Sequence, residues 1–151
     1  MKPNLFNNGI AEIAISYSSR IKASDRTQIT KSDKAYEVFL EAFPSLEHKE
    51  YFYALFLDRA NRVLGVYQVS SGGITGTVVD PKIVFQAGLK ANATSIILAH
   101  NHPSGQTVPS EADIALTKKL INAGKILEMP ILDHLIIAKE GYKSFADEGL
   151  I

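Results

Sequence analysis

Residues 93–99 read Ala-Thr-Ser-Ile-Ile-Leu-Ala and run directly into His100-Asn101-His102-Pro103-Ser104-Gly105. A short apolar, β-branched block between turn-forming residues predicts a buried strand. Side chains alternate along a strand, so His100 and His102 at its C-terminal end project to the same side and can aim two imidazoles at one point. Pro103 ends the strand. After the Ser-Gly turn, Pro109-Ser110 opens a helix whose apolar pattern continues through Ile114, Ala115, Leu116, Leu120 and Ile121, with Asp113 in its first turn. A strand end giving two imidazoles and a helix start giving one carboxylate make a set of two histidines and one carboxylate, which leaves the fourth tetrahedral position of a zinc ion to water. That is the pattern of a catalytic site rather than a structural one. Each piece alone has an ordinary explanation: Ser110-x-x-Asp113 is a common capping arrangement, and loop histidines need no ligand. Their coincidence points to a metal.

Composition limits what surrounds this unit. At 151 residues the chain suits one domain with a full hydrophobic core, expected over 10–151 after a poorly ordered lead-in at 1–9. With 46% hydrophobic and 21% charged residues it is an ordinary globular composition, which excludes wholesale disorder. Basic and acidic residues number 16 each, so no global field attracts nucleic-acid phosphates, although a local basic patch is compatible with this balance. There is no cysteine, so disulfides and thiolate metal sites are excluded and any metal ligands are His and carboxylate. The start lacks the apolar run of a signal peptide and no stretch has the length of a membrane span, so the expectation is a cytoplasmic protein without membrane attachment.

Taken in order, residues 10–17 predict a first strand and 18–30 an irregular excursion. Ser32 and Asp33 can cap a helix to about Phe43, stopped by Pro44. Residues 50–58, nearly continuous in apolar and aromatic side chains, predict a core strand buried on both faces. A turn at 59–62 returns the chain as a hairpin strand over 63–70, and a short strand over 75–79 follows Ser71-Gly72-Gly73. The glycine-rich run at 72–76 lacks the lysine and helix of a phosphate loop and reads as turn chemistry. Asp80-Pro81 starts a helix ending near Asn92, and the helix from Glu111 to about Ala123 is closed by Gly124. Strands at 131–138 and 142–145 complete a mixed sheet with helices packed on it, an α/β chain.

His-x-His-Pro followed by Ser-x-x-Asp resembles the JAMM motif of the JAB/MPN metallopeptidases, residue for residue in spacing. The Asn101 and Pro103-Ser104-Gly105 variant of it resembles the RadC-like branch. The resemblance covers about residue 10 to the end. It implies the JAB/MPN α/β fold, related to cytidine deaminases, and a hydrolase of peptide or isopeptide bonds. One zinc ion per chain would be held by His100, His102 and Asp113, and the substrate would be a peptide or protein of unknown identity. It also implies a general base at the start of an upstream strand, matched by Glu50 with Glu47 as the alternative. Ser110 would donate to the oxyanion, or simply cap the helix. The branch has an Asp-His pair like Asp133-His134; His134 is either an ordinary satisfied core histidine or a group orienting a ligand histidine.

Three other readings compete. An HNH nuclease spreads its histidines over a hairpin and helix, whereas here they sit two apart on one strand. A zinc deaminase needs Cys-x-x-Cys, which this chain lacks. The third is a non-catalytic, DNA-associated module, since RadC-like proteins carry a DNA-repair association. The separate N-terminal helical region of full-length RadC-like proteins, the more obvious DNA-binding part, is not in this sequence.

Overall fold

The seven residues Tyr51–Leu57 form an interior strand of the sheet, and every one of them is buried. This strand, β1, is an aromatic and aliphatic run without polar alternation, which only a position covered on both faces can accommodate. The computed structural model describes residues 9, 11, 13–14, 16–73 and 76–151. Over these, the chain forms α1 (Ser32–Ala42), β1, β2 (Val63–Ser71), α2 (Pro81–Lys90), β3 (Ser95–Asn101), α3 (Glu111–Ile126), β4 (Ile131–Ala138) and β5 (Gly141–Ser144). The result is a mixed five-stranded sheet with three helices, the α/β architecture expected from the sequence.

Strand order is β2-β1-β3-β4-β5. β1 is antiparallel to both neighbours, β3 and β4 are parallel, and β5 closes the sheet antiparallel to β4. A parallel neighbour needs a crossover, and α3 supplies it between β3 and β4. Strand alternation then divides the core in two. Tyr51, Tyr53, Leu55, Ile97, Ala99, Leu135 and Ile137 pack with Ala35 and Phe39 of α1 on one face. Phe52, Ala54, Phe56, Ile96 and Leu98 pack with Val84 and Phe85 of α2 and Leu120 of α3 on the other. Odd-numbered positions of β3 therefore face α1, and even-numbered ones, His100 among them, face α3.

The structure departs from the sequence-based expectations at several places. Of the strand expected at 10–17, residues 10, 12 and 15 lie outside the described residues, as does most of the 1–9 lead-in, and the others carry no strand. Tyr17 instead reaches β2 by its side chain, its hydroxyl donating to the Leu64 carbonyl at 2.9 Å. Of the strand expected at 75–79, Thr75 lies outside the described residues and Thr77 to Val79 are irregular. Here the chain folds back so closely that a Cβ on Gly72 would lie 2.0 Å from the Gly76 carbonyl, and a single bridge between Gly73 and Gly76 replaces a ladder. Ser32 is the first residue of α1 rather than its cap, because its hydroxyl bonds Tyr142 and Asp147 across the fold. Asp80 caps α2 as expected, accepting from Lys82 N at 2.9 Å. Among the described residues no helix is long and apolar enough to cross a membrane.

Gly124 does not close α3, which continues to Ile126. Its role is close approach: a Cβ there would sit 2.5 Å from the Met129 carbonyl oxygen, while Gly124 O accepts from Met129 N at 2.8 Å. This contact folds the chain from α3 back into β4. Alanine gains about 1 kcal/mol of helix propensity over glycine, but forcing backbone apart costs up to about 3 kcal/mol. Gly124→Ala is therefore expected to lose about 1–2 kcal/mol, read as a lower urea midpoint at unchanged m-value; an unchanged or raised midpoint would contradict the contact.

Candidate metal centre

β3 carries His100 inside the strand rather than beyond it, and its ring is 1% exposed. His102 stands one residue past the strand but stays in its line, because His102 N donates to the Ile137 carbonyl at 3.0 Å and so prolongs the pairing with β4. The turn after it closes through Gly105 N to His102 O at 3.0 Å, and Gly105 takes the left-handed φ of 87° that glycine accepts without strain. His102 Nδ1 meets the Gln106 carbonyl at 2.7 Å, which fixes the ring with Nε2 facing inward.

The third group comes from the start of α3. Ser110 and Asp113 form a reciprocal capping box: Ser110 Oγ accepts from Asp113 N at 3.0 Å, and Asp113 Oδ2 accepts from Ser110 N at 2.8 Å. The box points the Asp113 carboxylate at the histidines. Oδ1 lies 3.2 Å from His100 Nε2, Oδ2 lies 3.2 Å from His102 Nε2, and the two Nε2 atoms are 2.9 Å apart. Among the described residues this is the one group of His and carboxylate side chains whose donor atoms converge closely enough to hold a metal ion.

Electrostatics follow from this crowding. Burial alone would raise the Asp113 carboxyl, but its contacts with the His100 and His102 imidazoles and the Ser110 N–H outweigh it and hold the group far below the usual carboxylate range. The bond to Asp113 raises the His102 imidazole against the opposing effect of burial.

Glu50 is half-buried at the entrance to β1 and shares a cleft of about 330 Å³ with His102, Ser104, Ser110, Asp113 and Thr77. Burial raises its carboxyl, His100 and His102 pull it down, and Asp113 pushes it up again. Glu47 is placed differently. It is exposed, pairs with Lys139 at 3.2 Å, and lines a separate cleft on the far side of His102 and Pro103. His48 is exposed.

Asp133 and His134, adjacent in sequence, face opposite sides of β4. Asp133 accepts from Ser144 Oγ at 2.6 Å and Ala146 N at 3.0 Å, clamping the chain after β5, with burial raising its carboxyl against these bonds. His134 Nε2 lies 2.8 Å from His100 Nδ1, and its Nδ1 lies 2.7 Å from Thr117 Oγ1. His134 is thus a buried histidine with both ring nitrogens partnered, one of them by a histidine of the cluster. Burial, with the other two imidazoles of the cluster nearby, lowers the His134 imidazole well below its usual range.

Sequence reasoning misses two residues. Thr117 is legible in principle, since it stands one helical turn after Asp113 and thus on the same face. Asn101 reads from the sequence only as the spacer between the histidines. Strand alternation turns it to the α1 face, where Oδ1 accepts from Tyr51 N at 2.7 Å and Nδ2 donates to the carbonyls of Leu46 at 3.0 Å and Lys49 at 2.9 Å. This buried amide straps the segment before β1 to β3 and so sets where Glu50 stands. Glu50 is also held by its backbone, its carbonyl accepting from Gly72 N at 2.8 Å.

The family model of the RadC-like JAB domain matches residues 29–150. A UPF0758 protein of Flavobacterium johnsoniae is 49% identical over 123 residues, covering 82% of this chain and 53% of the relative. One from Geotalea uraniireducens is 37% identical over 140 residues, covering 93% and 60%. One from Methanosarcina mazei is 40% identical over 117 residues, covering 76% and 51%. The chain thus spans between half and about three-fifths of the length of these relatives.

The Asn101 strap makes a direct expectation. Asn101→Ala leaves the buried Tyr51 N–H and two part-buried carbonyls without this partner, a loss of about 1–3 kcal/mol. Chemical denaturation reads the loss, and amide hydrogen exchange is expected to quicken over residues 46–51 ahead of the rest of the sheet. Exchange unchanged in that segment would contradict the strap.

Proposed function

This chain belongs to the RadC-like JAB domain family, and on that premise we propose that it is a metal-dependent hydrolase of peptide or isopeptide bonds, with His100, His102 and Asp113 holding one divalent ion, zinc in the first instance. The observation that carries this reading is the convergence of two imidazole nitrogens and a carboxylate within 3.2 Å of one another, beside a half-buried glutamate in an open cleft. The donor set fits such an ion. Two imidazoles and one carboxylate are the three-ligand set of catalytic zinc sites. The Gln106 carbonyl can only accept, so it takes the Nδ1 proton of neutral His102 and leaves the Nε2 lone pair facing the cluster.

A divalent ion bound there supplies Lewis-acid polarisation of a carbonyl and acidifies water. The chain's own groups do the rest. Glu50, raised by burial and poised at the cleft wall, takes a proton from the attacking water and returns it to the leaving nitrogen. Ser110 Oγ already accepts from Asp113 N, so its hydroxyl hydrogen is free to donate to the oxyanion that forms. The same hydroxyl thus caps the helix with its lone pair and serves the reaction with its proton. Glu47, tied to Lys139 on the other side of His102, takes no part.

Two measurements test this. With zinc-loaded protein and a panel of fluorogenic peptides and isopeptide-linked lysine substrates, Glu50→Gln is expected to lower kcat about 10²–10⁴-fold with metal content unchanged. Cleavage by the variant at the wild-type rate would remove Glu50 from the role. The pH dependence of zinc affinity follows from His102. A proton on Nε2 competes with the ion, and because Asp113 raises this imidazole, the proton persists above the ordinary value of about 6.5. Calorimetry should therefore show affinity rising with pH through that range and levelling once His102 is neutral; affinity independent of pH would contradict His102 as a ligand.

A further inference from the structure

The hydrogen bonds behind His100 form a chain whose direction can be read from one end. Thr117 Oγ1 lies 2.6 Å from the backbone carbonyl of Asp113. A carbonyl carries no hydrogen, so the single hydroxyl proton of Thr117 is donated there, and the oxygen can only accept from its other partner. That partner is His134 Nδ1 at 2.7 Å, which must therefore carry the N–H. His134 is fully buried, with Phe52 at 5.4 Å and Phe145 at 4.8 Å between ring centroids and no carboxylate on either nitrogen, so it is a neutral imidazole with one donor and one acceptor. Its Nε2 is then the acceptor, and the proton in the 2.8 Å contact with His100 belongs to His100 Nδ1.

We propose that Thr117 and His134 are a tautomer relay: they hold the proton of His100 on Nδ1 and so keep the Nε2 lone pair on the point shared with His102 Nε2 and the Asp113 carboxylate. Both are positioning residues. The relay rests on the reading of that point as a divalent-cation site, and it deepens it. A backbone carbonyl, that of Gln106, sets the tautomer of His102, but His100 lies within the strand, its ring directed at His134 rather than at a loop carbonyl. A buried histidine and a threonine do the equivalent work. The same Thr117 hydroxyl fastens the backbone of Asp113, so one residue of α3 aligns two of the three groups. The neighbours of an imidazole ligand matter because only the unprotonated nitrogen can bind a metal, and loss of such a partner typically costs about 10- to 100-fold in metal affinity.

The test uses Thr117→Val, which keeps shape and removes the hydroxyl, with Thr117→Ser as the conservative control and His134→Gln, whose amide oxygen can stand in for the acceptor, as a second probe. Long-range ¹H–¹⁵N spectra of the metal-free protein above the imidazole titration range read the tautomer of His100, and competition with a chromogenic chelator reads zinc affinity. The relay predicts the Nδ1–H tautomer at His100 in wild type and Thr117→Ser. Thr117→Val should populate both tautomers and bind zinc about 10- to 100-fold more weakly. His134→Gln should retain the Nδ1–H form. A merely structural role would lower the melting temperature of Thr117→Val while leaving tautomer and affinity as in wild type, and that result overturns the proposal, as does an Nε2–H tautomer in wild type. Should wild type take up no zinc at all, the hydrolase reading falls, and the metal-free spectra still decide the relay.

Discussion

Two imidazole nitrogens stand 2.9 Å apart, each with an Asp113 carboxylate oxygen at 3.2 Å, and the rest of the structure is arranged so that they stay there. Lone pairs left to themselves would turn away from one another. Here each is held from behind: His102 by the Gln106 carbonyl, Asp113 by the capping box with Ser110, and His100 by His134 and Thr117. The contacts among the three groups hold the Asp113 carboxyl far down against its burial and raise the His102 imidazole. A divalent ion would meet a donor set already aligned, which loses little freedom when it binds.

Sheet order makes this possible with few residues. Because β3 lies between β1 and β4, a single strand end touches the glutamate side through β1 and the supporting histidine through β4. The alternation of β3 is used on both faces. His100 points to α3 and the cluster, while Asn101, the next residue, points to α1 and ties down the segment that carries Glu50. The crossover that a parallel pair requires is α3 itself, so the helix that joins β3 to β4 also delivers Asp113 to the end of β3. Fold and site are therefore built from the same connection.

Much of this can be read from the residues alone because its determinants are local. The His-x-His spacing at a strand end, the Ser110-x-x-Asp113 cap and the unbroken apolar run of β1 each follow from strand or helix periodicity over a few positions. What the sequence hides depends on contacts between distant segments. Gly124 reads as a helix end because glycine commonly is one, whereas the Met129 carbonyl pressed against it is the real constraint. The expected strand at 75–79 fails because the backbone at Gly72 and Gly76 approaches too closely for a ladder to continue. His134 and Asn101 act through partners 17 to 55 positions away, set largely by the register of β3 against β4 and β1, and no short-range pattern encodes that register.

The central claim is that His100, His102 and Asp113 are one cation site. It is tested most directly by metal analysis of untagged protein, equilibrated with zinc and freed of excess by gel filtration, beside His102→Ala and Asp113→Asn. The account predicts about one zinc per chain in wild type and loss of it in both variants, with circular dichroism showing that each remains folded. Wild-type protein that emerges without metal, or variants that retain it in full, would contradict the account.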